Sequence, residues 1–383
     1  MRVMIILAGL AGCTVAARTG DGVAPIATER CARPNLCPGG ASRCGVEELL
    51  CPDGTTNCCS TNGTGIYTAE GGFAGIDLEQ VPPVGQPPFV ARKVMITHFV
   101  NAEGHVGFQA GAFDPDDRWM IVGDGQVVTA DYGPQRGLGV AAVHEAATLP
   151  TWTLVGPAGP ISVTGDALHD LRLHLAVPDG WGHSVAAVVD FAGPAGALPG
   201  VHAYGMRWRL DVPDAAWKPY CLDAERQADA AVFQQDIAVD PVVGQVTQPP
   251  PGVIVTLSCL RGAPATVYGW HYPYVGAQLF HFAAGIQMKR ASYCADDRYY
   301  TTSGTPIELA DDLHLQRGTG DSDHVRYLEA GWTPQGATCV NLANLRHSRL
   351  GFTGTCAGRA LPACPAEPLG APYLIAGPLA PAP

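Results

Sequence analysis

In this 383-residue chain, few side chains able to do chemistry stand in a pattern that chemistry requires. Ser184 lies in Gly182-His-Ser184-Val-Ala186, which approximates the G-x-S-x-G elbow of serine hydrolases. That elbow needs a buried strand before the serine and a helix after it, so that the hydroxyl projects from a strained turn. Here a Pro178-Asp-Gly-Trp-Gly182 turn precedes the serine and a β-branched run follows, so the stretch predicts a hairpin. Gly320-Asp-Ser322-Asp-His324 sets a serine among acids and a histidine. A triad is assembled by the fold, not by sequence neighbours, and this segment has the composition of a solvated turn. His144-Glu145 lacks the second histidine of a zinc-protease helix. His169 and His174, five residues apart, would face opposite ways on a continuous strand, while His271, His281 and His314 read as packing or surface groups. No residue is assigned a catalytic role.

Oxygen ligands offer little more. Asp114-Pro-Asp116-Asp117 is the first calcium candidate, with Asp296-Asp297 and Asp311-Asp312 behind it. Calcium takes 6–8 oxygens from carboxylates and loop carbonyls, and no D-x-[DN]-x-[DN]-G loop gathers them here. These acids are expected to be solvated or to cap turns. No cofactor is expected, with Ca²⁺ at Asp114, Asp116 and Asp117 as the alternative.

The cysteines are more informative. Of the 13 in the chain, Cys13 stands apart, directly after the leader. Cys31, Cys37, Cys44, Cys51, Cys58 and Cys59 crowd one segment, and Cys221, Cys259, Cys294, Cys339, Cys356 and Cys364 are spread over the C-terminal half. Two even sets in an exported chain predict two separately stapled units, with connectivity left open. The first set lacks a C-x-x-C pair and apolar company, so a disulfide knot is expected there and not a zinc cluster.

The leader supplies the expectation of export. Arg2, the apolar run Val3 to Gly12 and the small residues before Cys13 have the form of a secretory signal. The run is short of the roughly 20 apolar residues needed to span a bilayer. Leu10-Ala-Gly-Cys13 resembles a bacterial lipobox, which implies cleavage before Cys13 and its acylation. Several acyl chains hold a protein durably on a membrane. Thr14 is not the aspartate associated with inner-membrane retention, so the outer membrane or cell surface is the expected location.

The elements that must position all this are mostly strands. Gly 47, Pro 33 and only 15% charged residues favour short strands and many turns. Leu171, Leu173, Leu175 and Val177 alternate with Arg172, His174 and Ala176; Met206, Trp208, Leu210 and Val212 alternate with Arg207, Arg209 and Asp211. Period two with one polar face predicts half-buried, antiparallel strands. The best helix candidate is Val275 to Arg290, with one apolar face from Leu279, Phe282, Ile286 and Met288 or Lys289. Thr266 to Trp270 reads as a possible strand. The fold class expected is mainly β with minor α: disulfide-stapled domains of antiparallel sheet. The segments are a signal peptide (1–12), a tether (13–30), the Cys-rich module (31–59), a Gly/Pro-rich linker (60–90), a β-rich domain (91–215), a second cysteine unit (216–365) and a Pro/Ala-rich tail (366–383), read as extended or disordered. A net charge of −12 with scattered basic residues argues against a nucleic-acid partner.

Within the second unit an ordered series of short motifs resembles the ADYC domain, found in exported proteins of myxobacteria and related bacteria. The series runs Trp217-Lys-Pro-Tyr-Cys221, Thr256-Leu-Ser-Cys259-Leu-Arg-Gly-Ala-Pro-Ala265, Met288-Lys-Arg-Ala-Ser-Tyr-Cys294, Gly304-Thr-Pro-Ile307, Glu329-Ala-Gly-Trp332 and Cys339-Val-Asn341. It covers roughly Trp217 to Arg349. Ser292 stands where the family signature has aspartate. The resemblance also implies a cysteine at the position of Gly285 and another just before Trp270; both are absent here, as the loss of one disulfide would require. It implies a context and no reaction. The expected role is therefore that of a lipid-anchored envelope or surface protein, structural or interacting, whose extracytoplasmic partner the sequence leaves open. The alternatives are a binding module for carbohydrate, peptide or calcium, with a platform drawn from Trp119, Trp152, Trp181, Trp208, Trp217, Trp270 and Trp332, and an envelope serine hydrolase. Cys294 is expected to be a bridge from a helix end to the sheet.

Overall fold

Alternating strands with one apolar face must close that face against something, and here the sheet closes on itself. The computed structural model describes residues 91–378 except for short loop segments, with residues 14–19, 22–27 and 76–77 before them. The signal peptide, Cys13, the Cys-rich module and the acids Asp114, Asp116 and Asp117 lie outside the described residues. Within the expected tether, Thr14–Thr19 pairs antiparallel with Gly22–Ala27.

The chain from residue 91 onward is mainly β. Its strands are β1 (Ala91–Val100), β2 (Trp119–Tyr132), β3 (Gln135–Ala146), β4 (Leu149–Gly156), β5 (Gly159–Thr164), β6 (Leu171–Pro178), β7 (Ser184–Leu198), β8 (Val201–Leu210), β9 (Ala228–Gln235) and β10 (Ile254–Cys259). Seven of them form a barrel in the order β1-β10-β9-β8-β7-β6-β2, closed by a parallel pairing of β1 with β2. The other neighbours are antiparallel. The predicted alternation is seen directly: Leu171, Leu173, Leu175 and Val177 point into the core with Met206, Trp208 and Leu210. Val212 lies beyond the end of β8 and is exposed. Phe99, Phe191, Tyr204 and Phe233 fill the interior, with Phe191 and Phe233 centroids 5.2 Å apart edge to face. Strands β3 to β5 continue from β2 as a meander whose Leu138, Trp152, Leu154 and Val163 join the same core. The barrel runs past the boundary expected at residue 215, since β9 and β10 complete it.

A second core follows. It is built from α1 (Ala263–Gly269), α2 (Leu279–Arg290) and a four-stranded sheet of β11 (Ile307–Asp311), β12 (Ala330–Thr333), β13 (Gly336–Val340) and β14 (Leu374–Pro378). Three readings change here. Thr266 to Gly269 is helix and not strand, with Trp270 as its C-cap, because Pro264 in the first turn of α1 is preset for helix and lacks an N–H that the turn would leave unused. The helix at 279–290 is not amphipathic: residues 281–290 are all buried. The tail, read as extended or disordered, is extended but not free around Tyr373-Leu-Ile, since β14 is inserted between β11 and β12 and is buried throughout. The two cores meet across the outer faces of β1, β9 and β10, where polar side chains are buried yet bonded to backbone. Gln234 Nε2 donates to Pro264 O at 2.9 Å, Thr256 Oγ1 to Ile237 O at 2.6 Å, and Val239 N to His98 Nε2 at 3.4 Å.

Gly285 lets the two helices touch. A Cβ there would stand 2.7 Å from Cγ1 of Val267 on α1. Gly285, where the resemblance implies a cysteine, falls at this helix contact. We expect Gly285→Ala to destabilise the oxidised protein by about 1–3 kcal/mol through overpacking, read as a lower urea midpoint; an unchanged midpoint would show that Val267 gives way freely.

Candidate functional site

Two polar constellations stand out, one around the Tyr293-Cys294 stretch and one on the barrel's outer face. The first begins at the end of α2. Ala291 takes the left-handed conformation (φ 50°); its N–H reaches Met288 O at 3.0 Å, and that of Ser292 reaches Gln287 O at 2.9 Å. This pair of bonds satisfies the last carbonyls and stops the helix. Lys289 and Arg290 do not reach water from the helix end. Lys289 Nζ bonds Thr266 Oγ1 at 2.7 Å and Arg290 Nη2 bonds Val242 O at 3.1 Å.

The turn drives Tyr293 inward, between Trp332 (centroids 5.2 Å) and Phe352 (4.1 Å). Its hydroxyl donates to Glu329 Oε1 at 2.5 Å, burial pushes it well above the ordinary tyrosine range, and Glu329 adds to that push. Glu329 also accepts from Arg346 N at 2.9 Å and from the Arg346 guanidinium, whose Nη1 donates to Met288 O at 3.0 Å. Both charged side chains are fully buried. The Tyr293 carbonyl accepts from Ala337 N at 2.8 Å, and glycine is required next door: a Cβ on Gly336 (φ +100°) would stand within 2.4 Å of that carbonyl oxygen. Cys294 is bonded to Cys356, so it bridges the helix end to the small Thr355–Cys356 strand and not to a main sheet. Cys221–Cys259 and Cys339–Cys364 complete the disulfides among the described residues. Everything in this constellation is occupied in holding the fold.

Beside it, His281 Nε2 lies 2.6 Å from Asp312 Oδ1, and the ring stacks on Tyr272, whose hydroxyl bonds Asp311 at 2.7 Å. Burial alone would raise the Asp312 carboxyl, but the Tyr373 N–H and His281 outweigh it and hold the group below the usual range. The Asp311 carboxylate accepts from the backbone of Leu313, Leu315 and Gln316. Asp296 Oδ1 caps its own turn through Arg298 N, and Asp297 lies outside the described residues.

Among the described residues the motifs weighed for catalysis do not assemble. Ser184 opens β7 as an exposed residue paired with Pro178, with strand and not helix after it. His169 sits in a 3₁₀ turn ahead of β6, so it shares no strand with His174. Ser322 and His324 lie outside the described residues. His144 and Glu145 lie on β3 opposite Thr151 and Pro150. His271 and His314 are exposed on positive-φ turns. Trp152, Trp208, Trp270 and Trp332 are buried core and offer no platform.

The second constellation follows from the polar face of the predicted strands. Arg172 on β6, Asp190 on β7 and Arg207 on β8 are direct cross-strand neighbours. Arg207 donates to Asp190 Oδ2 from Nε (2.9 Å) and Nη2 (2.6 Å), and Arg172 Nη2 stands 3.8 Å from the same oxygen. Two residues along β8, Arg209 lies on the same face. Trp217, on the strap after β8, brings the three together: the guanidinium carbons of Arg172, Arg207 and Arg209 lie 5.4, 4.9 and 5.1 Å from its ring. Next to them His174 bridges Asp131 (3.2 Å) and Asp211 (3.6 Å). The strap is pinned further by Tyr220, whose hydroxyl donates to Ile96 O at 2.5 Å inside the barrel, and by Cys221.

Four motifs of the resemblance thus have a place: strap, barrel strand, helix end, buried acid. The family model described as ADYC domain matches residues 165–346. The chain carries an ADYC domain. The match starts well before Trp217, so the ADYC domain takes in β6 to β10 of the barrel and runs to Arg346, the partner of Glu329. No curated protein and no solved structure matches the chain. The Ala-Ser-Tyr-Cys form of the ADYC signature is a helix stop, a core tyrosine and a bridge. Ser292, where the signature has aspartate, is fully buried, with Oγ 3.4 Å from Asp296 O.

The bridges also differ in access. Cys221 and Cys259 are buried, whereas Cys294 and Cys356 are partly exposed. Thiol attack requires access to sulfur. Limiting reductant followed by mass spectrometry should therefore open Cys294–Cys356 well before Cys221–Cys259; the reverse order would contradict the burial.

Proposed function

We propose that the protein is a lipid-anchored component of the bacterial cell envelope, held on a membrane through acylated Cys13, where it serves a structural or interacting role. The observation that carries the non-chemical half of this reading is the commitment of the polar core. Tyr293, Glu329, Asp311, Asp312 and His281 through Nε2, titratable groups of the second core, bond one another, Arg346 and the backbone. Three disulfides fit an oxidising, extracytoplasmic compartment. Among the described residues no helix is long and apolar enough to cross a membrane. The anchor itself rests on Leu10-Ala-Gly-Cys13, and Thr14 directs it toward the outer membrane or surface.

The test is fractionation of a bacterial host expressing the full chain. The natural sequence should sediment with membranes, and Cys13→Ser should move to the soluble extracytoplasmic fraction. Equal membrane retention of both would remove the anchor. A second reading, a binding module, is favoured by one observation, the gathering of arginines on the exposed barrel face.

A further inference from the structure

The outer face of β6, β7 and β8 gathers guanidiniums at one point, in a chain that is acidic as a whole. The protein carries a net charge of −12, yet three guanidiniums converge here on one indole, with Asp190 between two of them and Asp131 and Asp211 turned toward His174 beside them. Asp190 takes two bonds from Arg207 and a longer contact from Arg172. Among the described residues Arg209 has no carboxylate partner; its contact is with the Trp217 ring. The hydrogen-bonding account is also open. Nε of Arg172 and Nε of Arg209 are buried from water without an acceptor. A buried donor left unmade is costly, and like charges gathered around one ring repel. Both deficits are of the kind that an anion with several acceptor oxygens removes. The face is open to such a group, since the Arg207 side chain is 46% exposed and that of Arg172 36% exposed.

We propose that Arg172, Arg207 and Arg209 form a binding site for a phosphate group. The cluster offers several convergent N–H donors, two of them without an acceptor, and the several acceptor oxygens of a phosphate group match that better than a carboxylate does. The planar fork of arginine suits phosphate oxygens. Trp217 holds the three guanidiniums in place from the strap, so the cluster is preorganised and its side chains lose little freedom on binding. Asp190 orients Arg207 and at the same time opposes the anion. The site is independent of the lipid anchor and is tested in the anchorless protein.

The experiment uses the full chain bearing Cys13→Ser, oxidised, in a phosphate-free buffer at fixed ionic strength. Titration calorimetry with inorganic phosphate should give saturable binding at about 1 mM or tighter, and chloride at the same ionic strength should give none. Arg209→Gln should weaken phosphate binding about tenfold or more while its circular dichroism in phosphate-free buffer matches the parent; Arg172→Gln serves as the second variant. Asp190→Asn should tighten phosphate binding, which a purely structural role for the cluster does not predict. Sedimentation with vesicles of phosphatidylcholine containing phosphatidic acid separates the sources. Retention lost in Arg209→Gln assigns the phosphate to a lipid headgroup, and calorimetric binding without retention assigns it to a soluble compound. The proposal is overturned if neither inorganic phosphate nor the phosphatidic acid vesicles bind, or if binding is indifferent to Arg209 and Arg172.

Discussion

Replacing Arg346 with methionine is expected to lower the unfolding free energy by about 3–5 kcal/mol, the cost of leaving a buried charge without its partner. Glu329 and Arg346 are both fully buried. Once the guanidinium is gone, Glu329 keeps only the Tyr293 hydroxyl and the backbone N–H of residue 346. The damage spreads, because Arg346 also bonds the Met288 carbonyl in the last turn of α2 and lies 5.6 Å over the Trp332 ring. Combining the change with Glu329→Gln should recover a large part of the loss, since the pair removed together leaves no orphan charge. Urea unfolding of the oxidised protein measures all three variants. A loss below about 1 kcal/mol, the scale of an exposed pair, would mean that water reaches Glu329.

The second large effect is acid lability from His98. Its ring is completely buried between the two cores, and burial pulls its pKa from 6.5 down to about 3. Asp124 stands 3.7 Å away and favours the charged ring, yet burial outweighs it. The folded state thus refuses a proton that the unfolded chain accepts. Stability from this group is fully present above pH 6.5 and falls as pH drops from 6.5 toward 3, by roughly 1 kcal/mol per unit. The carboxylates act in a lower window. Asp131 and Asp312 are held below their ordinary 3.8, so their stabilisation is lost only as pH falls through those lowered values. Between pH 6.5 and 4.5 the slope should belong largely to His98. Unfolding midpoints across that range should flatten in His98→Gln; a slope that survives the substitution would assign the lability elsewhere.

What could be read from the chain depended on how far apart the responsible residues are. Strands β6 and β8 were legible because alternation is a local property: Leu171 to Val177 and Met206 to Leu210 declare their own inner faces. Even their polar faces were visible as sequence, although Arg172, Arg207 and Arg209 gained meaning only when pairing brought β6, β7 and β8 side by side. The segment of α2 was legible, but its surroundings were not. Nothing near Lys289 or Arg290 shows that their partners are Thr266 and Val242. The helix α1 carried a readable signal in Pro264, overruled by the β-branched Thr266 and Val267. Tyr293, Glu329 and Arg346 are separated by 36 and 17 residues, and only tertiary structure could join them. The same holds for β14, whose small apolar cluster among prolines resembles a tail until a gap between two strands is found for it.

The closing of the barrel has a consequence for how the chain is made. Strand β1 has its two barrel neighbours in β2, close behind it, and β10, which ends at Cys259. A chain delivered N-terminus first can pair β1 with β2 early, and Ile76–Asp77 with Lys93 and Val94, but the opposite edge of β1 at His98 to Val100 stays open until Ile254 to Thr256 have emerged. Contacts between residues so distant in sequence are slow to form, and an open strand edge invites pairing with other chains. Cys221 and Cys259 meet only when the same late strand arrives. Oxidation of that pair therefore marks the moment of closure, and a nascent chain halted before residue 254 should expose a reactive Cys221.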